Sequence, residues 1–473
     1  MADHLTPLDA TFLELEQIDP AAHMHIGAIL VFEPREGRPP PALEEVRALL
    51  AERIGALPRF TKRLSATHVG GLEWPSWEPD PAFDLAHHTR RLAVPSPGGR
   101  AELFELAGLF WSRRIDRTRP LWELALLEGL ADGRWGLALK LHHCLADGIG
   151  SVEVGPLLLE LDREGRAAPI PPPAPRSAGP PGGLRAGLVR AARTALGTLR
   201  HPRRAGRLLD RTRALAELIV RDELMAAPRT SLNVPIGADR RFAGLELPLQ
   251  EAKAIKDALG GKVNDVVLAA AAGGLRALLL HRAEEPPAAG LRAMVPVNVR
   301  DAAESLAMGN RISSLFVELP VAEPDPVVRY RRTVAATSER KERGQAGGGE
   351  ALLDVTALLP PALHSLVARM LYSPRLFNIT ITNVPGPQFP LYALGSRLEA
   401  AYPLVPLASD HAVGIAALSY DGQIYLGLNA DERAMPDLDV LTDGIERAFR
   451  ELAERAGVRA SRPGASRRRA DDG

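Results

Sequence analysis

Hydrophobic and polar positions in the first third of the chain follow two different periods. Residues 26–32 form a short β-type apolar run, whereas residues 42–54 and 101–115 carry apolar side chains at the spacing of an amphipathic helix. Strands and helices of ordinary length therefore alternate in this region. The pattern predicts an α/β fold for residues 1–161.

The clearest predicted hairpin joins residues 122–130 to residues 135–143. Asp132 and Gly133 lie between the two runs, and an Asp-Gly pair readily adopts the positive φ angles of a tight turn. Alternation along the second strand places His143 on the opposite face from His142. The two histidines are therefore expected to have different roles.

The same mixture of elements returns after residue 231. Asp421-Gly422 predicts a second tight hairpin, and hairpins of this kind belong to mixed sheets rather than to a doubly wound parallel sheet. The predicted helices cover residues 250–259 and 264–281, and the predicted strands cover residues 292–299, 312–319, 377–382, 412–419 and 423–428.

The 473 residues exceed what one hydrophobic core usually organises. The composition changes abruptly to Pro, Ala and Gly after residue 161, and an Arg-rich stretch with helical spacing follows. The sequence predicts an N-terminal domain (1–161), a Pro-rich linker with basic helices (162–230), a C-terminal domain (231–456) and a disordered tail (457–473).

Composition narrows the functional classes and the compartment. Lys plus Arg equals Asp plus Glu at 58 each, so no overall positive field favours nucleic acid. Cys144 is the sole cysteine, which suits a reducing compartment. The N-terminus has no secretory signal pattern, and charged residues, Pro or Gly interrupt every apolar run. We expect a cytoplasmic protein whose membrane contact, where it occurs, is peripheral.

Residues 142–148, which read HHCLADG, carry the candidate chemistry. His143 leaves the predicted strand into a turn, where a neutral imidazole can accept a proton as a general base. His142 is expected to support the site from the sheet interior. Gly148 permits a sharp backbone path, and Asp147 is expected to hold the loop. Its arginine partner stays open among Arg59, Arg63 and Arg300.

Several motif blocks resemble the bacterial wax ester synthase/diacylglycerol acyltransferase family of coenzyme-A-dependent acyltransferases. The blocks follow the family's order along nearly the whole chain. They are PLDATFL at residues 7–13 with Glu16, MHIG at 24–27, RPLW at 119–122, HHCLADG at 142–148, ND at 264–265, VPVNVR at 295–300 and TNVPGP at 382–387.

The resemblance implies two similar chloramphenicol-acetyltransferase-like domains with an active-site tunnel at their interface. It also implies His143 as the base and Asn264 as the donor that steadies the tetrahedral oxyanion. From spacing alone, capping of the helix that begins there explains Asn264 equally well. A Trp at position 122 is usually a core residue, and a Glu at position 16 is usually solvated. The substrate-channel candidates are Glu16, Trp122, Asn383, Pro385 and Gly386.

The implied reaction transfers a long-chain acyl group from acyl-coenzyme A to diacylglycerol or a fatty alcohol. Coenzyme A is a substrate here, and the sequence indicates no cofactor and no metal site. The Arg-rich stretch suggests contact with a membrane or lipid-droplet surface, although a solvated connector is the alternative. Two competing functions are a same-fold acyltransferase with a glycolipid, polyketide-type or carrier-bound acceptor, and a non-catalytic lipid-binding protein.

Overall fold

A computed structural model describes residues 3–5, 7–65, 75–145, 155, 157–166, 226–298, 312–345 and 373–458. The helices in these residues are α1 (Pro7–Ile18), α2 (Leu43–Arg53), α3 (Leu85–His88), α4 (Arg100–Ser112), α5 (Leu249–Leu259), α6 (Val263–His281), α7 (Pro326–Gln345) and α8 (Leu438–Arg455). The strands are β1 (Asp3–His4), β2 (His25–Phe32), β3 (Lys62–Leu64), β4 (Ser76–Pro79), β5 (Thr89–Ala93), β6 (Trp122–Glu128), β7 (Trp135–His142), β8 (Arg240–Pro248), β9 (Leu291–Asn298), β10 (Ile312–Leu319), β11 (Ile379–Pro385), β12 (Tyr392–Ala393), β13 (Ser396–Leu404), β14 (Val413–Tyr420) and β15 (Gln423–Asp431).

Two six-stranded sheets form the framework, and both are mixed as the sequence predicts. The first has the order β12-β13-β2-β7-β6-β5, in which β5 and β6 run parallel and the other neighbours run antiparallel. The second has the order β10-β9-β11-β14-β15-β8, in which β11 runs parallel to both β9 and β14. A three-stranded sheet, β1-β4-β3, lies beside them.

Strand β7 occupies the interior of the first sheet, between β2 and β6. All eight of its residues are buried, because the sheet is covered on both faces. Both predicted hairpins are confirmed: β6 pairs with β7, and β14 pairs with β15. Asp132 and Asp421 have φ angles of 60° and 43°, as the Asp-Gly turns require.

Strand β13 crosses from the second half of the chain into the first sheet. The sequence assigns this stretch to the C-terminal domain, yet β13 pairs with β2 over the register from Leu398↔Phe32 to Leu404↔Gly27. Buried Glu160 supports the crossing, since one carboxylate oxygen accepts from Leu394 N at 3.0 Å and the other from Arg53 at 2.7 Å. A strand from the second half of the chain therefore completes the first sheet.

Helices α6 and α8 pack tightly over the second sheet. A Cβ on Gly274 would lie 2.8 Å from the backbone nitrogen of Ile445, and one on Gly444 would lie 2.9 Å from Cα of Gly274. Only glycine permits this approach. Within the described residues, α6 is the one helix long and apolar enough to cross a membrane. Of the apolar segment of α6, 72% is buried inside the protein, as expected for a core helix.

Candidate active site

His143 follows directly after β7, where the chain turns away from the sheet. Its backbone nitrogen donates to the carbonyl oxygen of Met24 at 2.8 Å. Its ring stacks on Phe12, with the two ring centroids 3.8 Å apart. Burial lowers the pKa of His143 to about 4, and the neighbouring His142 acts in the same direction. The imidazole is therefore neutral at neutral pH, as a proton acceptor must be.

His142 lies inside the sheet, with 1% of its surface exposed. Its Nδ1 accepts a hydrogen bond from the backbone nitrogen of Cys144 at 3.2 Å. Its Nε2 therefore carries the proton, which it donates to Glu16 Oε2 at 3.0 Å. Burial lowers the pKa of His142, and the bond to Glu16 acts in the opposite direction. Both ring nitrogens are thus used within the protein.

Glu16 contacts the ring of His142, and the expectation that it is solvated is wrong. The residue is 1% exposed. One carboxylate oxygen accepts from Arg114 at 2.7 and 3.1 Å, and the other accepts from His142 and from the backbone nitrogen of Met24 at 3.2 Å. Burial alone would raise the pKa of Glu16, but the bonds from His142 and Arg114 hold that pKa well below its ordinary value.

The carboxylate of Glu16 therefore fixes both histidines. It holds the ring of His142 directly, and it holds Met24, whose carbonyl oxygen accepts from the backbone of His143. In the sequence, Glu16 is singled out only by its place in a motif block. Helical spacing on α1 does not bring an oppositely charged residue next to it. Arg114 is 98 residues away along the chain.

Asn264 lies in the first turn of α6 without capping that helix. The cap position is Lys262, whose backbone nitrogen donates to the side chain of Asp265 at 2.8 Å. The second oxygen of Asp265 accepts from Thr337 at 2.8 Å, which ties α6 to α7. Asp265 thus performs the capping that spacing alone allowed for Asn264. The Asn264 amide is left available for another role.

Asn383, near the end of β11, contacts Asn264 directly. Its Nδ2 donates to Asn264 Oδ1 at 3.0 Å. Because the amide oxygen of Asn264 accepts from Asn383, its Nδ2 group is the end that can donate to another partner. The structure thus brings two pairs of predicted site residues together: Asn264 on α6 with Asn383 on β11, and Glu16 on α1 with His142 on β7.

Comparison with known proteins decides the family. Residues 5–267 match the wax ester synthase/diacylglycerol acyltransferase catalytic domain, and residues 308–453 match the C-terminal domain of the same family. The chain belongs to the wax ester synthase/diacylglycerol acyltransferase family.

Relatives and solved structures agree with this assignment. The chain is 33% identical to a probable diacylglycerol O-acyltransferase, tgs1, of Mycobacterium tuberculosis, over 95% of this chain and 96% of the relative. It is 34% identical to a second one, tgs2, over 96% and 100%. The wax ester synthase/diacylglycerol acyltransferase from Marinobacter aquaeolei VT8 superposes with a TM-score of 0.69 at 29% identity, over 96% and 100% of the two chains.

A more distant structure shows the fold alone. The starter condensation domain of rhizomide synthetase RzmA, solved with C8-CoA and Leu-SNAC, has a TM-score of 0.59 at 15% identity. The match covers 96% of this chain and 94% of that domain. The mixed-sheet architecture predicted from the sequence is therefore shared across two groups of proteins.

The remaining candidates for lining the substrate channel, Trp122, Pro385 and Gly386, lie in different environments. Trp122 is 2% exposed, and its indole nitrogen donates to the carbonyl oxygen of Phe60 at 2.8 Å, so it lies in the core as expected of a buried Trp. Pro385 is exposed. A Cβ on Gly386 would lie 2.4 Å from the carbonyl oxygen of Ser419, so only glycine lets this turn approach β14. A part for these three residues in lining a channel stays a prediction.

The loop residues Asp147 and Gly148 lie outside the described residues, as does Arg300. Arg63 pairs with Glu78 at 3.0 Å, and Arg59 is buried with its Nη1 3.8 Å from Asp9. The arginine partner of Asp147 therefore stays a prediction. In the described part of the chain, no group of three or more His, Cys, Asp or Glu side chains is arranged to hold a metal ion.

Proposed function

We propose that this protein transfers a fatty acyl group from coenzyme A to the hydroxyl group of diacylglycerol, or of a long-chain alcohol. The observation that carries the proposal is the state of His143, a neutral imidazole at the end of a central strand, supported from below by Glu16 and His142. The names of the mycobacterial relatives favour diacylglycerol as the acceptor.

The reaction needs one base and one oxyanion donor. His143 takes the proton from the acceptor hydroxyl, and the resulting alkoxide attacks the thioester carbonyl. Asn383 holds the amide of Asn264 through its Oδ1 atom, and the Nδ2 group of Asn264 donates a hydrogen bond to the tetrahedral oxyanion. Collapse of the intermediate breaks the carbon–sulfur bond, and protonated His143 returns the proton to the thiolate. No covalent bond to the protein forms.

Release of free coenzyme A tests this function and separates it from its competitors. The purified protein is incubated with palmitoyl-coenzyme A and one acceptor at a time: a diacylglycerol, hexadecanol, a glycolipid or a carrier-bound amine. We expect thiol release and ester formation with diacylglycerol or hexadecanol. Turnover only with the glycolipid or the amine would assign the site to the alternative acceptors. Binding of acyl chains without thiol release by any acceptor would make the protein a lipid carrier.

We also propose that the protein is cytoplasmic and works at the surface of a membrane or lipid droplet, since diacylglycerol resides in a lipid phase. The support is compositional, because residues 183–225 are rich in arginine. Replacing four arginines of this stretch, Arg185, Arg190, Arg193 and Arg200, by Gln should weaken sedimentation with anionic liposomes and spare turnover of a detergent-dispersed acceptor. Unchanged sedimentation would make the stretch a plain linker.

A further inference from the structure

Lys140 is a buried cation on the catalytic strand β7, three residues before His143. None of its side chain is exposed. Its Nζ lies 3.0 Å from the carbonyl oxygen of Phe110, 2.8 Å from that of Arg113 and 2.8 Å from Glu123 Oε2. Two of its N–H donors bond the carbonyl oxygens, and the carboxylate of Glu123 supplies the opposite charge. A buried charge is tolerated only when it is paired in this way.

Two of these acceptors lie at the C-terminal end of α4. The last carbonyl groups of a helix have no partner within the helix, and a cation there also interacts favourably with the helix dipole. Phe110 lies in the last turn of α4, and Arg113 is the residue that caps it. The Phe110 ring centroid is 4.5 Å from the same ammonium group. Lys140 thus fixes where α4 ends against β7.

The residue that follows this end is Arg114, which binds Glu16. The guanidinium donates twice to Glu16 Oε1, at 2.7 and 3.1 Å. The other oxygen of Glu16 holds His142 and Met24, and Met24 in turn accepts from the backbone of His143. A continuous series of contacts therefore runs from Lys140 through the end of α4 to both histidines.

We propose that Lys140 is a positioning residue for acyl transfer, which acts by placing Arg114 on Glu16. This inference rests on the proposed function, in which His143 is the base. Lys140 and His142 lie on the same face of β7, with Gly27 and His25 as their partners on β2. By the alternation of side chains along the strand, His143 points to the opposite face. Lys140 therefore acts on the reaction through Arg114 and Glu16.

A double-mutant cycle on turnover tests the connection. The variants are Lys140→Met, Arg114→Gln and the pair of substitutions, assayed for kcat and KM with palmitoyl-coenzyme A and the acceptor that the parent protein uses. A misplacement near 1 Å costs up to about a hundredfold in rate, so we expect each single substitution to lower kcat by about ten- to a hundredfold. KM should change little, since both residues act through Glu16.

The cycle distinguishes a positioning role from a merely structural one. If Lys140 acts through Arg114, the double substitution lowers kcat no further than Lys140→Met alone, because coupled residues give non-additive effects. Losses that multiply would overturn the proposal. If Lys140→Met does not fold, Lys140→Arg keeps the charge, and its loss of kcat must likewise be non-additive with Arg114→Gln. A parent protein without any acyl transfer would refute the proposed function instead.

Arg90 supplies the matched control. It binds the same carboxylate as Lys140, at 3.0 Å from Glu123 Oε1, and its side chain is 35% exposed. Arg90→Gln removes an ion pair of Glu123 without removing the cation at the end of α4. We expect its kcat to stay within about twofold of the parent, as is usual for a partly exposed pair. A loss equal to that of Lys140→Met would show that Glu123, rather than the helix end, is what matters.

Discussion

The side chain of Asn383 donates a hydrogen bond to the amide oxygen of Asn264 at 3.0 Å, joining the end of β11 to the first turn of α6. An Asn amide has one acceptor end and one donor end. Because Asn383 bonds the acceptor end of the Asn264 amide, the donor end is the one available to a ligand. The pair therefore sets Asn264 as a donor, which is the role that an oxyanion requires.

Reversing the polarity of Asn383 should reverse the amide of Asn264. Asn383→Asp presents only acceptors, so the Asn264 Nδ2 group should turn toward the new carboxylate and away from the substrate. Loss of one oxyanion donor costs about a hundred- to a thousandfold in kcat, and we expect a loss of that size. Asn383→Ala, which removes the constraint without adding a charge, should cost less. Parent-like kcat in the folded Asp variant would exclude this role for Asn264.

Glu16→Gln should lower both stability and activity. The substitution keeps the shape of the side chain but removes the charge that Arg114 and His142 bind. The side chain of Arg114 is 41% exposed, so the loss is smaller than for a fully buried ion pair, and a weakened set of hydrogen bonds at a buried group costs about 1–3 kcal/mol. Each kcal/mol lowers Tm by about 2–4 °C in domains of this size. Thermal melting measures the effect, and Glu52→Gln, at an exposed position on α2, is the control. A Glu16→Gln protein that melts with the parent would contradict the geometry.

The same carboxylate contributes to the acid stability of the fold. Its pKa in the folded protein lies well below the ordinary value of 4.5. Glu16 therefore stabilises the fold at pH values above 4.5, and this contribution is lost as the pH falls through the folded pKa. The free energy of unfolding of Glu16→Gln should accordingly depend less on pH in the acid range.

His142→Ala should act mainly through stability. Both ring nitrogens of His142 are used within the protein, one by Cys144 and one by Glu16, so the ring has no nitrogen left for substrate. Its removal leaves the buried carboxylate with one donor fewer, and we expect a lower melting temperature. The residual kcat, measured well below that temperature, should exceed that of His143→Ala. An inactive variant with parent-like melting would place His142 in the chemistry.

The acid limb of the pH–rate profile should reflect the lowered pKa of His143. Burial lowers this pKa from 6.5 to about 4, and only the neutral ring can accept a proton. The value of kcat/KM should therefore stay level as the pH falls from about 7 to about 5, and it should decrease only as the pH approaches 4. Circular dichroism at each pH checks that the protein stays folded. A half-loss of kcat/KM near pH 6.5 would show an unperturbed base.

Local sequence signals predicted much of the framework. The Asp-Gly pairs and the alternating runs beside them predicted both hairpins, and β7 ends within one residue of the predicted position. The predicted helix at residues 264–281 corresponds to α6. These features are determined by residues that are close together in the sequence, so they can be predicted from a single sequence.

Long-range partners could not be predicted in the same way. Glu16 finds Arg114 and His142 only after β2, α4 and β7 have assembled, and its neighbours on α1 do not identify these partners. The crossing of β13 to β2 is likewise set by tertiary packing. In the sequence, Lys140 is a single polar residue in an apolar strand. Its contacts with the end of α4 are visible only in the folded structure. Resemblance to a family identified the importance of Glu16 but not its partners.

The role of His143 as the general base is tested most directly by the activity of His143→Ala. Thiol release from palmitoyl-coenzyme A is measured with the preferred acceptor, alongside thermal melting of the same preparation. Removing a general base typically costs about a hundred- to ten-thousandfold, so we expect a folded protein whose kcat is at least about a hundredfold below that of the parent. A folded His143→Ala protein with kcat within about threefold of the parent would contradict it.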